Sequence, residues 1–232
     1  SPTLAAQREA FLARYPRAQW HSYEPVDEAQ ALEGARLAFG RALETRYRLD
    51  RAQVVLAVDA DLFGSMPGHL GHARAWMAHR RPDRGEPPPR LYAIEPTPSL
   101  TGSVADHRWA WDDEDLARAM ESLAHALGIA GARDLLVEPA ARRRLRALAD
   151  DLRDAGERAC VAVGPGQPAR VHALAHLLNA ALGGAGASVV YAEPAAPPGD
   201  IRPLLTALRA GQVETLLVLD ANPAYALPAE ED

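Results

Sequence analysis

Short apolar runs alternate along this chain with longer segments whose apolar residues follow helical spacing. One run, residues 216–219 (LLVL), ends abruptly at Asp220, as a strand buried on both faces does. Residues 53–67 (QVVLAVDADLFGSMP) repeat the pattern, because an apolar strand again runs into an Asp-Ala pair and a proline follows. Open parallel sheets bind ligands at the carboxyl ends of their strands. The echo therefore predicts two similar α/β halves, each with such a strand end.

The complete pattern alternates strand and helix, which favours mostly parallel sheets. The predicted strands are 18–26, 54–60, 91–95, 159–163, 188–192 and 215–219, and the predicted helices are 4–15, 29–39, 70–78, 113–127, 140–155, 169–182 and 201–210. Residues 80–90 are rich in Arg and Pro and indicate an exposed loop. The pattern restarts near 128–138, so we predict two Rossmann-like α/β halves, 1–128 and 129–232, with sheets flanked by helices.

Composition excludes some functional classes. The net charge is −6, and no basic run is interleaved with aromatic residues, so nucleic-acid binding is not expected. Cys160 is the single cysteine, which excludes an internal disulfide and any Cys-x2-Cys cluster motif. No segment approaches the roughly 20 apolar residues that span a bilayer, and there is no signal peptide at Ser1. We expect a soluble piece of a longer protein that does not insert into a membrane.

Several motifs resemble the molybdopterin oxidoreductases. Asn222-Pro223 with Pro228 is similar to their Gly-x-Asn-Pro-x4-Pro element, and Thr97, Thr101 and Ala105-Asp106 follow a strand in the family's order. The segments 20–25 (WHSYEP), 95–102 (EPTPSLTG), 105–108 (ADHR) and 178–183 (LNAALG) resemble, more closely, the large iron–sulfur and molybdopterin-like subunit of bacterial alternative complex III. The resemblance covers residues 17 to 228.

The resemblance implies a pterin-dinucleotide crevice lined by six residues: Asp59, Asp61, Glu95, Thr97, Asp220 and Asn222. Where the family has glycine, this chain has Asp59 and Asp220, and Thr97 replaces the family's arginine. A carboxylate adds bulk and negative charge where a pyrophosphate must approach, and the lost arginine removes a bidentate partner. We therefore expect no molybdopterin guanine dinucleotide here, although carboxylates can still bind a guanine edge or ribose hydroxyls.

The resemblance further implies a piece of a respiratory, quinol-oxidising membrane complex, located at the periplasmic face of the bacterial inner membrane. Its partners would be the rest of its own subunit and the other subunits of the complex. Without redox ligands the chain is expected to be a scaffold that is not catalytic by itself. The alternative is a pterin- or guanine-nucleotide-binding domain of an active molybdenum oxidoreductase.

Other chemistry-bearing residues have simpler interpretations. Cys160 lies within a predicted strand, where a buried inert thiol is expected. His172 and His176 have a zinc-compatible spacing but no obvious third ligand, so we predict a solvated helix face. Gly164-Pro165-Gly166 lacks a phosphate-loop ending and predicts a turn. Neither Ser65 nor Ser103 has a local triad pattern, and no catalytic residue or metal ligand is predicted.

Overall fold

The computed structural model describes residues 2–23, 29–81, 87–194 and 201–227. The chain forms two compact units, one comprising Ser1–Asp27 with Ala196–Asp232 and the other Glu28–Ala195. The larger unit contains all the strands of the described residues and runs across the predicted boundary at residue 128.

Six strands are present in the described residues: β1 (Glu44–Tyr47), β2 (Val54–Val58), β3 (Arg90–Glu95), β4 (His107–Ala110), β5 (Ala159–Val163) and β6 (Val189–Ala192). Four of them form a parallel sheet in the order β4-β3-β2-β5, and β1 pairs with β6 in a separate antiparallel ribbon. In the register of the parallel sheet, Val54 lies opposite both Arg90 and Ala159. The predicted α/β class with a parallel sheet flanked by helices is confirmed.

The helices of the described residues are α1 (Pro2–Arg14), α2 (Ala29–Phe39), α3 (His69–His79), α4 (Leu100–Ser103), α5 (Asp113–Ala126), α6 (Pro139–Ala155), α7 (Ala169–Ala181), α8 (Arg202–Arg209) and α9 (Pro223–Ala226). Helix α5 shows why such segments fold. Asp112 caps its first turn by accepting a hydrogen bond from the Asp115 amide at 2.9 Å, and Leu116, Met120 and Leu123 form one buried face.

Both faces of the parallel sheet are covered. Alternate residues of β2 point to opposite sides: Val54 and Val58 pack with α5, α6 and α7, whereas Val55 packs against a second cluster that contains Trp76 of α3. All five residues of β2 are buried. A continuous apolar run is therefore required at β2, as expected for a central strand of a parallel sheet.

Side chains close the outer edge of β5. Asn179 accepts a hydrogen bond from the Val161 amide and donates one to the Val161 carbonyl, both at 2.8 Å. Ser188 donates its hydroxyl to the carbonyl of Ala159. These three backbone groups are thus satisfied without another strand, and the sheet of the described residues ends at β5 on this side.

Two predicted strands are wrong in the described residues. Residues 215–219 form no strand, and their four apolar side chains are 46–65 % exposed. No ladder hydrogen bond connects them to a described strand, and an isolated strand leaves its backbone groups unpaired. Residues 18–23 likewise lack strand structure, while 24–26 lie outside the described residues, as do 82–86 of the predicted loop and Pro228.

Candidate functional site

The strand order places the candidate site at the carboxyl ends of the parallel strands. Of the four parallel strands, β2 comes first in the sequence; β3 and β4 follow on one side of it and β5 lies on the other side. The connections therefore diverge between β2 and β5, which is the topological switch point where open α/β sheets form a ligand crevice. The residues that follow these two strands are therefore the first candidates for a functional site.

At the switch point the two strand ends lie against each other. Asp59 follows β2 with a φ of 48°, a left-handed conformation that costs a non-glycine residue some strain. The Gly164 amide, just after β5, donates to the carbonyl of Val58 at 2.9 Å. A Cβ on Gly164 would lie 1.7 Å from the carbonyl oxygen of Asp59. Only glycine fits at residue 164, and the backbones themselves fill the space between the strand ends.

A glutamine amide joins two carboxylates above this point. Gln167 is 2 % exposed and donates from Nε2 to Asp59 Oδ2 at 2.9 Å and to Asp113 Oδ1 at 3.1 Å. Burial raises the pKa of Asp59; the hydrogen bond from Gln167 opposes this, and the negative charges of Asp113 and Glu95 raise it further. The site around Asp59 is therefore electronegative.

Asp61 organises the loop between β2 and α3. Its Oδ1 accepts hydrogen bonds from the amide and the hydroxyl of Thr101, both at 3.1 Å, and its Oδ2 accepts from the Ser65 amide at 3.0 Å. Thr101 is fully buried, and its hydroxyl oxygen accepts from the Phe63 amide at 3.0 Å. The Asp61 carboxylate thus accepts three hydrogen bonds, and these hold the turn after β2 against Thr101.

Glu95, at the end of β3, is 2 % exposed and is held by residues of the next two elements. Its Oε1 accepts from Arg108 Nε at 2.7 Å and from the Ser99 amide at 3.2 Å, while its Oε2 accepts from the Ser99 hydroxyl at 2.6 Å. A Cβ on Gly102 would lie 1.8 Å from Glu95 Oε1, so the glycine is needed for this packing. One nitrogen of the Arg108 guanidinium is not satisfied: Nη2 is buried without a hydrogen-bond partner in the described residues.

Three of the six predicted site residues, Asp59, Asp61 and Glu95, therefore lie at the ends of β2 and β3. Thr97 is exposed in the turn after β3 and belongs to none of these networks. Asp220 and Asn222 lie in the other compact unit, where both are exposed. Asp220 nevertheless has a φ of 50°, so it shares the left-handed backbone of Asp59.

Sequence reasoning missed the residues that engage these carboxylates. Gln167 lies 108 positions from Asp59, and Asp113 lies 54 positions from Gln167. No local pattern connects such residues, since only the packing of α5 and of the turn after β5 brings them together. The one available signal was the position of Gln167 just after the Gly164-Pro165-Gly166 turn, which the structure confirms as a turn.

The prediction of a solvated face for His172 and His176 is wrong, because each is only 4 % exposed. Helix α2 covers this face closely, and a Cβ on Gly34 would lie 2.3 Å from His172 Cβ. The Nε2 atoms of both rings are buried without a partner in the described residues, and burial lowers the pKa of each histidine to about 4.

Cys160 is fully buried as predicted, and burial raises its pKa to about 12, so its thiol is inert near neutral pH.

Within the described ranges, no group of three or more His, Cys, Asp or Glu side chains has an arrangement suited to a metal ion. The helices of the same ranges are all too short or too polar to cross a lipid bilayer.

Comparison with known proteins gives no family assignment. No protein-family model matches the chain, and no curated protein matches it.

Proposed function

We propose that the chain is a non-catalytic α/β scaffold within a molybdopterin-oxidoreductase-like subunit of a respiratory, quinol-oxidising complex of the alternative complex III type. One observation carries the scaffold role: the carboxylates at the strand ends are engaged by the chain's own side chains. Asp59 is bonded to Gln167, Asp61 to Thr101, and Glu95 to Ser99 and Arg108. Groups that a cofactor would need are used instead to fix loops.

The family resemblance has support from the backbone. Asp59 and Asp220 occupy the positions where the family has glycine, and they are the two non-glycine residues of the described chain with positive φ. Glycine adopts this conformation freely, whereas other residues do so at a cost. Both positions thus have a backbone conformation that glycine adopts freely, which supports the proposed match of Asp59 and Asp220 with the glycines of the family's motif.

Metal analysis and absorption spectroscopy of the purified chain test the scaffold role. We expect neither stoichiometric molybdenum nor the chromophore of an iron–sulfur cluster, and finding either would refute the proposal. In a second arm, Asp61→Asn should lower stability by about 1–3 kcal/mol, because it weakens the buried acceptor of Thr101. The matched control is Glu114→Gln, an exposed residue whose partner is Arg118.

The proposed partners and location follow from the same resemblance. The chain would be attached to the periplasmic face of the bacterial inner membrane through the rest of its subunit and through neighbouring subunits. The isolated chain should then fail to float with lipid vesicles at physiological salt. Co-migration with the vesicles would show direct lipid binding and would contradict attachment through partners alone.

A second candidate is a domain that binds a pterin or a guanine nucleotide. It is favoured by two buried polar atoms that are left without partners in the described residues, Arg108 Nη2 and Gln167 Oε1, both beside the strand-end carboxylates. Calorimetric titration with guanine nucleotides separates the two functions. Saturable binding that Glu95→Gln weakens would favour the nucleotide-binding domain, whereas no heat at millimolar nucleotide would favour the scaffold.

A further inference from the structure

A cavity of about 400 Å³ lies between the C-terminal half of α5 and helix α6. Its volume falls within the range of small-molecule sites, roughly 300–1,000 Å³. The charged residues that line it are Asp134, Asp150, Arg142, Arg146 and Arg153. None of them takes part in the hydrogen-bond networks at the strand ends, so the cavity is a separate feature of the molecule.

The arginines give this cavity a local excess of positive charge. Arg142, Arg146 and Arg153 are four and seven residues apart on α6, a spacing that places them on one face of the helix. Two aspartates line the cavity with them, so one positive charge is left over. The chain as a whole carries a net charge of −6, and the cavity therefore differs in sign from its surroundings.

Two of the three guanidinium groups are held in place by the protein. Arg142 donates from Nε to the carbonyl of Leu136, and the same nitrogen lies 3.3 Å from Asp134 Oδ2. Arg153 donates from Nη1 to Asp150 Oδ1 at 2.7 Å and from Nη2 to the carbonyl of Ala126 at 3.0 Å. These contacts leave further N–H groups of both arginines available, because a guanidinium has five.

The middle arginine is the one whose charge is not balanced. Arg146 makes no hydrogen bond or ion pair within the described residues, although it lines the cavity between the two fixed arginines in sequence. Asp134 and Asp150 are already paired with Arg142 and Arg153. An anion in the cavity would therefore meet an uncommitted guanidinium.

A buried hydroxyl provides the second, independent observation. Ser122 lines the cavity but is only 2 % exposed. Its Oγ accepts hydrogen bonds from the amides of Leu135 and Leu136, at 2.8 and 3.1 Å. The hydroxyl proton has no acceptor within the described residues, and a buried donor without an acceptor is costly. An oxygen atom of a ligand would satisfy it.

We propose that this cavity binds a small, free phosphorylated molecule. Arginine forks match the oxygens of a phosphate, and the Ser122 hydroxyl supplies one more donor. A phosphate alone would leave much of the cavity empty, and the carboxylates of Asp134 and Asp150 can accept hydrogen bonds from hydroxyl groups on the remainder of the ligand. A sugar phosphate has both features. The site goes beyond the proposed function, because it uses none of the strand-end residues.

Calorimetric titration of the whole chain with inorganic phosphate, ribose 5-phosphate and ribose tests the site. We expect one phosphate or one ribose 5-phosphate per chain, with the sugar phosphate bound more tightly, and no binding of ribose. Arg146→Gln, at an exposed position, should weaken the binding of both phosphates at least about tenfold, because it removes a charged donor.

The matched control is Arg143→Gln, which removes the same charge from the same helix at a position outside the cavity and should leave binding unchanged. Equal losses in the two variants would show diffuse attraction to a basic surface and would overturn the proposal. The absence of saturable heat at millimolar phosphate and ribose 5-phosphate would overturn it too, as would binding of ribose as tight as that of its phosphate.

Flotation with vesicles that contain phosphatidic acid distinguishes the two sources of a phosphate group. We expect the chain to remain unbound at physiological salt. Co-migration that Arg146→Gln abolishes would identify a lipid headgroup as the occupant and would overturn the proposal of a free ligand.

Discussion

Acid should unfold this protein through two histidines that are neutral in the folded state. His172 and His176 lie on the face of α7 that α2 covers, with a pKa of about 4 each because burial disfavours the charged imidazole. An unfolded histidine titrates near 6.5. Between these values the unfolded chain takes up protons that the folded chain excludes, so stability must fall as the pH falls from about 6.5 to 4.

The surroundings of the two rings offer no compensating charge. His176 Nδ1 lies 3.3 Å from the hydroxyl of Tyr191, and its ring packs against Phe39. In the described residues neither histidine has a carboxylate within hydrogen-bonding or ion-pairing distance. Linkage between pKa values of 6.5 and 4 gives about 2 kcal/mol per histidine on going from pH 7 to pH 5, and about 4 kcal/mol for both.

Urea unfolding followed by circular dichroism at pH 7, 6 and 5 measures this loss. In the double variant His172→Gln and His176→Gln, both side chains stay neutral, so the fall in unfolding free energy between pH 7 and 5 should shrink by about 4 kcal/mol. His79→Gln, at the end of α3, controls for removal of a histidine. A double variant with the same pH dependence as the wild type would refute the reasoning, whatever its stability at pH 7.

Three further outcomes follow from the packing. Asn179→Ala should cost about 3 kcal/mol in urea unfolding, because it leaves a buried amide and a buried carbonyl of β5 without partners. Gly164→Ala should cost about 3 kcal/mol or more through its clash with the end of β2, whereas Gly166→Ala meets open space and should be nearly neutral in the same assay. The exposed apolar residues 216–219 should cause weak self-association, visible as a concentration-dependent sedimentation coefficient; a coefficient that is independent of concentration would contradict this.

The sequence was sufficient for elements whose burial is continuous or periodic. β2, β3, β5 and the long helices were predicted within a few residues because their apolar patterns are strong. The strands β1 and β4 were missed because each is only four residues long and partly exposed. Their sequences, ETRY and HRWA, therefore contain no apolar run that would indicate a strand. Residues 216–219 show the reverse case: an apolar run indicates a tendency to be buried, but it does not supply the neighbouring strand that the backbone needs.

The site was predictable only in part for a similar reason. Strand ends can be located in a sequence, so Asp59, Asp61 and Glu95 were identified at the correct edge of the sheet. Their partners come from segments far apart along the chain, and no local spacing connects them. The buried histidines were misjudged because their spacing carries no information about the glycine on α2 that lets the two helices approach.

The two aspartates with left-handed backbone, Asp59 and Asp220, differ in the contacts that support them. At Asp59 the strained backbone is held by contacts on both sides: its amide donates to the carbonyl of Ile94 at 2.7 Å, and its side chain accepts from Gln167. At Asp220 the same φ occurs beside an exposed, unpaired apolar segment. Strain of this kind, of order 1 kcal/mol or more, persists where surrounding structure compensates for it. Asp59 has that compensation in these two hydrogen bonds, whereas no hydrogen bond of the described residues holds the side chain of Asp220.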